Sequence, residues 1–263
     1  MVKIPDVEFW INLGDWPLEK RGKYDVPAAM ISWCGHEDFT DIVVPTYEVT
    51  ENTNGMMAKT FSDQFLIQNK GRSIPWNSKT TKAFFRGRDS RQERLDLAEL
   101  ARNETELLDV GITKYFFFKE DHEKYGEPVE HTPFSDFFKF KFQINIDGTV
   151  AAYRFAHLLL GNSVVLKQKS KVISNLKCFF TIFQYFEHFY HFLNNGQADY
   201  LEFKEDLSDL MDHIRWLVDN EDIAIEMSKN ANLVVDIALQ PINVYAYWIT
   251  VLKVSLKVSY NLS

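Results

Sequence analysis

Short apolar runs alternate with amphipathic stretches along most of the chain. Strands are predicted where these runs are brief and bounded by turn residues: residues 7–13, 42–44, 83–86, 114–118, 142–146, 164–166 and 200–203. The spacing of apolar positions predicts helices over residues 56–68, 92–101, 134–138, 151–160, 187–193 and 207–218, and a buried helix from residue 240. Because strands and helices alternate after residue 80, the sequence predicts an α/β fold with a mostly parallel sheet.

The densest polar signal is a group of four arginines around a glycine. Arg86, Arg88, Arg91 and Arg94 fall within nine residues, with Gly87 between the first two, at a predicted strand-to-helix turn. Guanidinium groups pair bidentately with phosphate, and a helix N-terminus offers free N–H groups, so this arrangement suits an anion. The alternative is a solvated basic face paired with neighbouring acids, and the spacing by itself does not choose between the two.

A second candidate lies in the segment 145–154. Its predicted strand ends in Asp147-Gly148, and a helix with Arg154 in its first turns follows. Ligands of parallel sheets bind at the carboxyl ends of strands, which would place this arginine at such an edge. An ordinary turn with Arg154 in a surface ion pair is the alternative, and the segment alone favours it.

A third candidate is Asp15, in the sequence Gly14-Asp15-Trp16-Pro17 after a predicted strand. A carboxylate that is partly desolvated beside a tryptophan can act as a general base. Aspartate is also common in turns that precede proline. Judged by itself, the tetrapeptide favours the turn.

Composition narrows the classes of function. The 263 residues carry 29 Lys and Arg against 37 Asp and Glu, a net charge of -8, which argues against a duplex-DNA partner. No apolar run reaches 18 residues, so no membrane insertion is expected. With two cysteines, Cys34 and Cys178, one disulfide is the most that can form. The sequence has no P-loop, no G-x-G-x-x-G and no D-x-D, and its histidines lack zinc-like spacing, so no metal site is predicted.

The same segments resemble a known family, the Rumi-like protein O-glucosyltransferases, and most closely its KDEL-motif-containing branch. The matching blocks, in family order, are residues 12–20, 32–35, 85–91, 115–119, 134–141, 143–154 and 161–168. The resemblance runs from about residue 2 to residue 253.

This resemblance implies a GT-B fold with two Rossmann-like halves. Residues 1–78 would belong to the acceptor-side half, residues 79–238 would form the UDP-sugar-binding half, and residues 239–263 would form a C-terminal helix. The family implies an inverting transfer of glucose, or in some members xylose, from a UDP-sugar to a serine of EGF-like repeats, as in Notch-type receptors. It also implies the lumen of the endoplasmic reticulum, UDP-glucose as donor, and no other cofactor and no metal.

The family's functional residues carry over onto five positions examined above. The general base falls on Asp15, and the diphosphate-contacting arginines fall on Arg94 and Arg154. Gly87 and Arg88 fall on the loop that lies against the nucleotide. The resemblance therefore makes Asp15 the leading candidate for the base.

A sixth position, Glu187, falls where such folds bind ribose hydroxyls. Residues 172–184 interrupt the family spacing just before it, and their removal would join Lys171 to Tyr185 as the family does. We interpret this segment as a retained intron, since a valine codon begins GT and a glutamine codon can end in AG. The alternative is a genuine aromatic loop near the nucleotide, which would disturb Glu187.

The resemblance starts inside the first Rossmann-like half, and the family's signal peptide and retention signal have no counterpart here. The sequence therefore predicts an incomplete N-terminal half. A second hypothesis for the function is a truncated, inactive remnant that binds UDP or EGF-like repeats. A third is an acidic cytosolic nucleotide-binding protein, which stands only if the family match is set aside.

Overall fold

The computed structural model describes residues 4, 6–23, 29–36, 38–45, 50, 66, 68–150, 152, 154–169, 172–174 and 199–260. The chain divides into two compact units. The first comprises Met1–Phe61, Lys171–Phe192 and Asp236–Ser263, and the second comprises Ser62–Ser170 and Leu193–Val235.

The strands of the described residues are β1 (Trp10–Ile11), β2 (Met30–Ser32), β3 (Cys34–His36), β4 (Ile42–Val43), β5 (Thr80–Arg88), β6 (Leu108–Lys114), β7 (Phe140–Asn145), β8 (Val164–Gln168), β9 (Val172–Ser174) and β10 (Leu201–Phe203). The labelled helices are α1 (Gln92–Asn103), α2 (His122–Tyr125), α3 (Phe134–Phe137), α4 (Phe155–Leu158), α5 (Leu210–Asp219), α6 (Glu221–Ala238) and α7 (Pro241–Tyr260). No helix in these ranges is long and apolar enough to cross a membrane.

The first unit contains a small parallel sheet in the order β1-β2-β4 and an antiparallel pair, β3 with β9. Its core joins Ile31 and Val44 to the inner face of α7, which supplies Tyr247 and Val251. The Tyr247 hydroxyl donates a hydrogen bond to the backbone oxygen of Val43, so α7 is tied to the end of β4.

The second unit is built on a five-stranded, fully parallel sheet in the order β10-β8-β7-β5-β6. The strands of this sheet follow one another in the chain as β5, β6, β7, β8 and β10. The first of them, β5, therefore lies between β6 and β7. This is the order of a doubly wound sheet, and its switch point lies between β5 and β7. Ligands of such sheets bind outside the carboxyl ends of the strands at that point.

The sheet is buried on both faces, as side-chain alternation along β5 shows. Phe85 joins a core that includes Leu97 of α1 and Ile214 of α5. Phe84 points to the other face, where its ring packs edge-on against Phe137 of α3 at 4.9 Å. Two covered faces explain the continuous apolar runs that predicted these strands.

The predicted parallel α/β architecture is confirmed. Strands overlap every predicted segment in the second unit, although β6 shares only Lys114 with the segment 114–118, and α1, α3 and α5 overlap the predicted helices. Residues 68–73 are helical, whereas residues 56–65 and 187–193, where further helix was predicted, lie outside the described residues. The sequence reading missed α6 altogether.

Two local predictions were wrong. Residues 114–118 were expected to be a strand, but β6 ends at Lys114 and a loop follows. This loop turns because the Asp89 carboxylate accepts the backbone N–H groups of Phe116, Phe117 and Phe118. The helix expected over residues 151–160 is reduced to the single turn of α4. Ala152 lies outside the helix, and its backbone N–H donates to the Asp147 carboxylate.

Candidate functional site

Arg94 joins the carboxyl ends of β5 and β7 across the switch point of the second unit. The residue lies in the first turn of α1 and is 5% exposed. Its Nη1 donates to the backbone oxygen of Arg88 at 3.0 Å. Its Nη2 and Nε donate to the backbone oxygens of Ile146 and Asp147 at 3.0 and 2.9 Å. The guanidinium is thereby fixed where a doubly wound sheet binds its ligand.

Arg154 reaches the same place from the segment that follows β7. It caps α4, and its Nη1 donates to the backbone oxygen of Arg86 at 2.5 Å. The guanidinium carbons of Arg154 and Arg94 lie 5.4 and 5.5 Å from the centre of the Phe85 ring. The two arginines that the sequence singled out in separate segments therefore form one pair.

Gly87 makes room for this pair. A Cβ atom at Gly87 would lie 3.1 Å from Nη2 of Arg154, 3.3 Å from Nη1 of Arg94 and 2.9 Å from Cζ of Phe85. Such distances are shorter than ordinary contacts, so a side chain here would push the guanidiniums away. Arg88, the next residue, ends β5 with its side chain exposed beside the pair.

The electrostatics of the pair favour an anion. Burial, followed by the charge of Arg154, lowers the pKa of Arg94 to about 9. Burial likewise lowers the pKa of Arg154 to about 10. Among the described residues, neither guanidinium has a carboxylate within ion-pair distance. Two neighbouring cations without such a partner gain from an anionic ligand, and guanidinium groups suit phosphate in particular.

Asp15 belongs to the first unit, in a turn that follows β1. The buried side chain of Asn12 accepts the N–H of Gly14 at 2.9 Å and donates to the backbone oxygen of Trp16 at 2.6 Å. The thiol of Cys34 donates to the backbone oxygen of Asp15. The turn is thus held from two sides, and the Asp15 side chain is exposed.

Asn12 is a residue that sequence reasoning missed. Its signal was the pattern Asn12-Leu13-Gly14, because an asparagine side chain often accepts the N–H two residues ahead in a turn. Four of the candidate residues, Gly87, Arg88, Arg94 and Arg154, meet at one edge of the second unit. Asp15 lies in the first unit, and Glu187 lies outside the described residues.

Comparison with known proteins places this chain in a family. The family model described as Glycosyl transferase family 90 matches residues 1–258. The chain belongs to glycosyl transferase family 90. The resemblance found in the sequence is therefore confirmed, and the parallel α/β second unit is consistent with a Rossmann-like glycosyltransferase.

Relatives of this family-90 chain are named for the same activity. It is 46% identical over 224 residues to protein O-glucosyltransferase 2 of Danio rerio, covering 85% of this chain and 42% of that protein. It is 44% identical over 255 residues to protein O-glucosyltransferase 3 of Homo sapiens, covering 96% of this chain and 47% of that protein. The chain thus spans less than half the length of these two curated relatives.

Proposed function

We propose that this chain carries the donor-binding machinery of an inverting protein O-glycosyltransferase. The enzyme moves glucose, with xylose as the alternative, from a UDP-sugar to a serine of EGF-like repeats, in the lumen of the endoplasmic reticulum. The observation that carries the proposal is the pair Arg94 and Arg154, which lacks a carboxylate partner in the described residues and lies at the switch point of a parallel sheet. Family membership and the names of the relatives support the same reaction.

The donor's diphosphate binds at the arginine pair. Gly87 lets the ligand and the guanidiniums approach the backbone closely, and the exposed Arg88 adds positive charge at the rim. The pair is partly desolvated and held by backbone oxygens, so it is already oriented before the ligand arrives. Preorganised cations of this kind stabilise charge that develops on a leaving group.

Asp15 acts as the general base. Its carboxylate takes the proton from the acceptor serine while the serine oxygen attacks the anomeric carbon on the side opposite UDP. The bond from that carbon to the β-phosphate oxygen breaks, and Arg94 and Arg154 offset the charge left on the diphosphate. One displacement of this kind inverts the configuration at the sugar. Asp15 is exposed rather than desolvated by Trp16, so its carboxylate is open to an acceptor, and the fixed backbone of its turn supports this role.

The fold is of the GT-B type, with the first unit forming part of the N-terminal Rossmann-like half. Both residues of β1 are exposed, and Trp10 and Leu13 are 68% and 80% exposed. Apolar side chains of this size at the edge of a sheet are normally covered. The two units, each with a parallel sheet, support the assignment.

Calorimetric titration with UDP tests the donor site. We expect the chain to bind UDP and the Arg154→Met variant to bind it at least tenfold more weakly, since a charged hydrogen bond to phosphate is lost. Arg215→Met is the matched control, because Arg215 lies on α5 and pairs with Glu104. No UDP binding by the unaltered chain, or equal losses in both variants, would refute the donor site.

Incubation with UDP-glucose and a folded EGF-like repeat tests the transfer. We expect mass spectrometry to find one added hexose on the repeat. UDP binding without any added hexose would favour the inactive, UDP-binding remnant over the enzyme.

A further inference from the structure

Asp147 connects the segments that hold the arginine pair. It follows β7 and is fully buried. Its backbone oxygen accepts Nε of Arg94 at 2.9 Å, and its backbone N–H donates to Oε1 of Gln168 at 3.3 Å. The backbone of this one residue therefore links α1 to the end of β8.

The Asp147 side chain makes a second set of contacts. Its Oδ1 accepts the backbone N–H of Ala152 and Nζ of Lys167, each at 3.2 Å. Ala152 precedes Arg154 by two residues, so this contact fixes the segment that delivers the second arginine. The other carboxylate oxygen, Oδ2, is buried and has no hydrogen-bond partner among the described residues. An unpartnered, buried carboxylate oxygen is costly and calls for an explanation.

The charge of Asp147 also acts on the arginines. Burial, then Arg154, lowers the pKa of Arg94, and the negative charge of Asp147 opposes that effect. Burial lowers the pKa of Arg91, but the hydrogen bond and charge of Glu93, followed by the charges of Asp147 and Glu205, together raise it above its ordinary value. Lys167 is the one cation within ion-pair distance of Asp147 in the part of the chain that the structure describes.

We infer that Asp147 is the resident counter-ion of Arg94 and the positioning residue of the arginine pair. Its contacts fix the spacing of Arg94 and Arg154, and its charge offsets part of the charge of Arg94 while the site is empty. When the diphosphate binds, its negative charge offsets the arginines instead. The Asp147 carboxylate then repels the diphosphate, so it weakens donor and product binding and eases product release. The inference rests on the proposed function, because it takes a diphosphate as the ligand.

The isosteric substitution Asp147→Asn separates charge from position. The asparagine Oδ1 keeps both acceptor contacts, and its amide group replaces the oxygen that had no partner. Loss of one negative charge beside two cations raises the affinity for an anion, and we expect UDP to bind on the order of fivefold more tightly. A purely structural role predicts the opposite, because any loosening of the segment would weaken binding.

Lys167 provides the complementary variants. Lys167→Met leaves the Asp147 charge unbalanced, so UDP should bind roughly fivefold more weakly at low salt. The loss should shrink as salt is raised, because screening weakens electrostatic effects. Lys167→Arg keeps the charge and should bind nearly as the unaltered chain does. Asp136→Asn is the control, because that carboxylate pairs with Lys70 and Lys139 near the opposite end of β7.

Calorimetry of the full chain with UDP and with inorganic pyrophosphate makes the test, after circular dichroism has established that each variant is folded. Tighter UDP binding by Asp147→Asn supports the inference, and equal or weaker binding by the folded variant overturns it. If Asp147→Asn does not fold, the salt dependence of Lys167→Met decides, and a loss that does not change with salt overturns the inference. If the affinities of the variants for pyrophosphate differ in the expected order while UDP does not bind, the counter-ion role stands and the proposed donor is refuted. If neither ligand binds the unaltered chain, both proposals fall.

Discussion

Arg94 and Arg154 come from different segments of the chain, yet their guanidinium carbons lie 5.5 and 5.4 Å from the centre of one ring, that of Phe85. Backbone oxygens hold both groups, and no described carboxylate pairs with either. Two cations kept together in this way form a site that is complete only with an anion. This relationship leads to the predictions below and to the proposed donor site.

Gly87→Ala should weaken UDP binding by about tenfold, or roughly 1.4 kcal/mol, because the new methyl group would displace the guanidiniums. Its Cβ would approach Arg154 to 3.1 Å and Arg94 to 3.3 Å. Gly148→Ala is the matched control, since the nearest atom to its Cβ, Nη2 of Arg94, is at an ordinary 3.4 Å. Titration calorimetry measures both variants, and equal affinities would contradict the role given to Gly87.

Asp15→Asn should abolish glucose transfer, by at least about 100-fold, while UDP binding survives. The amide cannot take the serine proton, and Asn12 and Cys34 hold the backbone of the turn. Asp38→Asn, another exposed carboxylate of the first unit, is the control. Transfer to an EGF-like repeat and UDP titration are the measurements. Retained turnover in the Asp15 variant would remove this residue as the base.

Asp89→Asn should destabilise the second unit by about 2–3 kcal/mol, because a buried carboxylate then loses charged hydrogen bonds. Asp89 is fully buried and accepts the N–H groups of Phe116, Phe117 and Phe118 at 2.8–2.9 Å. An amide group facing these donors cannot accept from them. Urea unfolding measures the change.

The control for Asp89→Asn is Asp121→Asn. Asp121 caps α2 through its side chain, and asparagine caps helices about as well as aspartate. A loss of stability in the Asp121 variant as large as that in the Asp89 variant would show that the three-fold N–H contact is not the cause.

Lys79→Met should abolish an increase in the free energy of unfolding with pH that Lys79 causes in the unaltered chain. Burial lowers the pKa of Lys79 to about 7, from 10.5. Between these values the unfolded chain holds the proton and the folded chain does not, so stability rises with pH there. The limiting slope is about 1.4 kcal/mol per pH unit. Urea unfolding from pH 7 to about 9.5 should show this slope in the unaltered chain and not in Lys79→Met.

Lys82→Met is the control for the pH series, since Lys82 lies three residues further along, in β5, and donates at the surface to the backbone oxygen of Thr105. It should keep the slope of the unaltered chain. Parallel curves for all three proteins would refute the role given to Lys79.

The sequence by itself determined the parallel sheet of the second unit and supplied the candidate arginines at its edge. Strands covered on both faces need continuous apolar runs, so residues 83–86, 142–146 and 164–166 could be predicted from local composition. Guanidinium groups next to Gly87 and at Arg154 suit an anion, but the sequence by itself left a solvated basic face open for the first and favoured a surface ion pair for Arg154. The family resemblance was also present in the order of the motifs and was confirmed by the match to residues 1–258.

Only the tertiary structure decided which of these groups meet. The end of β6 depends on Asp89, which lies 27 residues before Phe116. Because the Asp89 carboxylate accepts the backbone N–H of Phe116, that N–H does not continue the strand. Gly161 was expected only to end a helix, but a Cβ there would lie 1.8 Å from the Phe138 ring, so packing between segments also requires glycine. Arg94, Arg154 and Asp147 form one charged group through backbone oxygens supplied by different strands. Contacts of this kind join residues that no local pattern relates, since folding and not sequence spacing sets their distance.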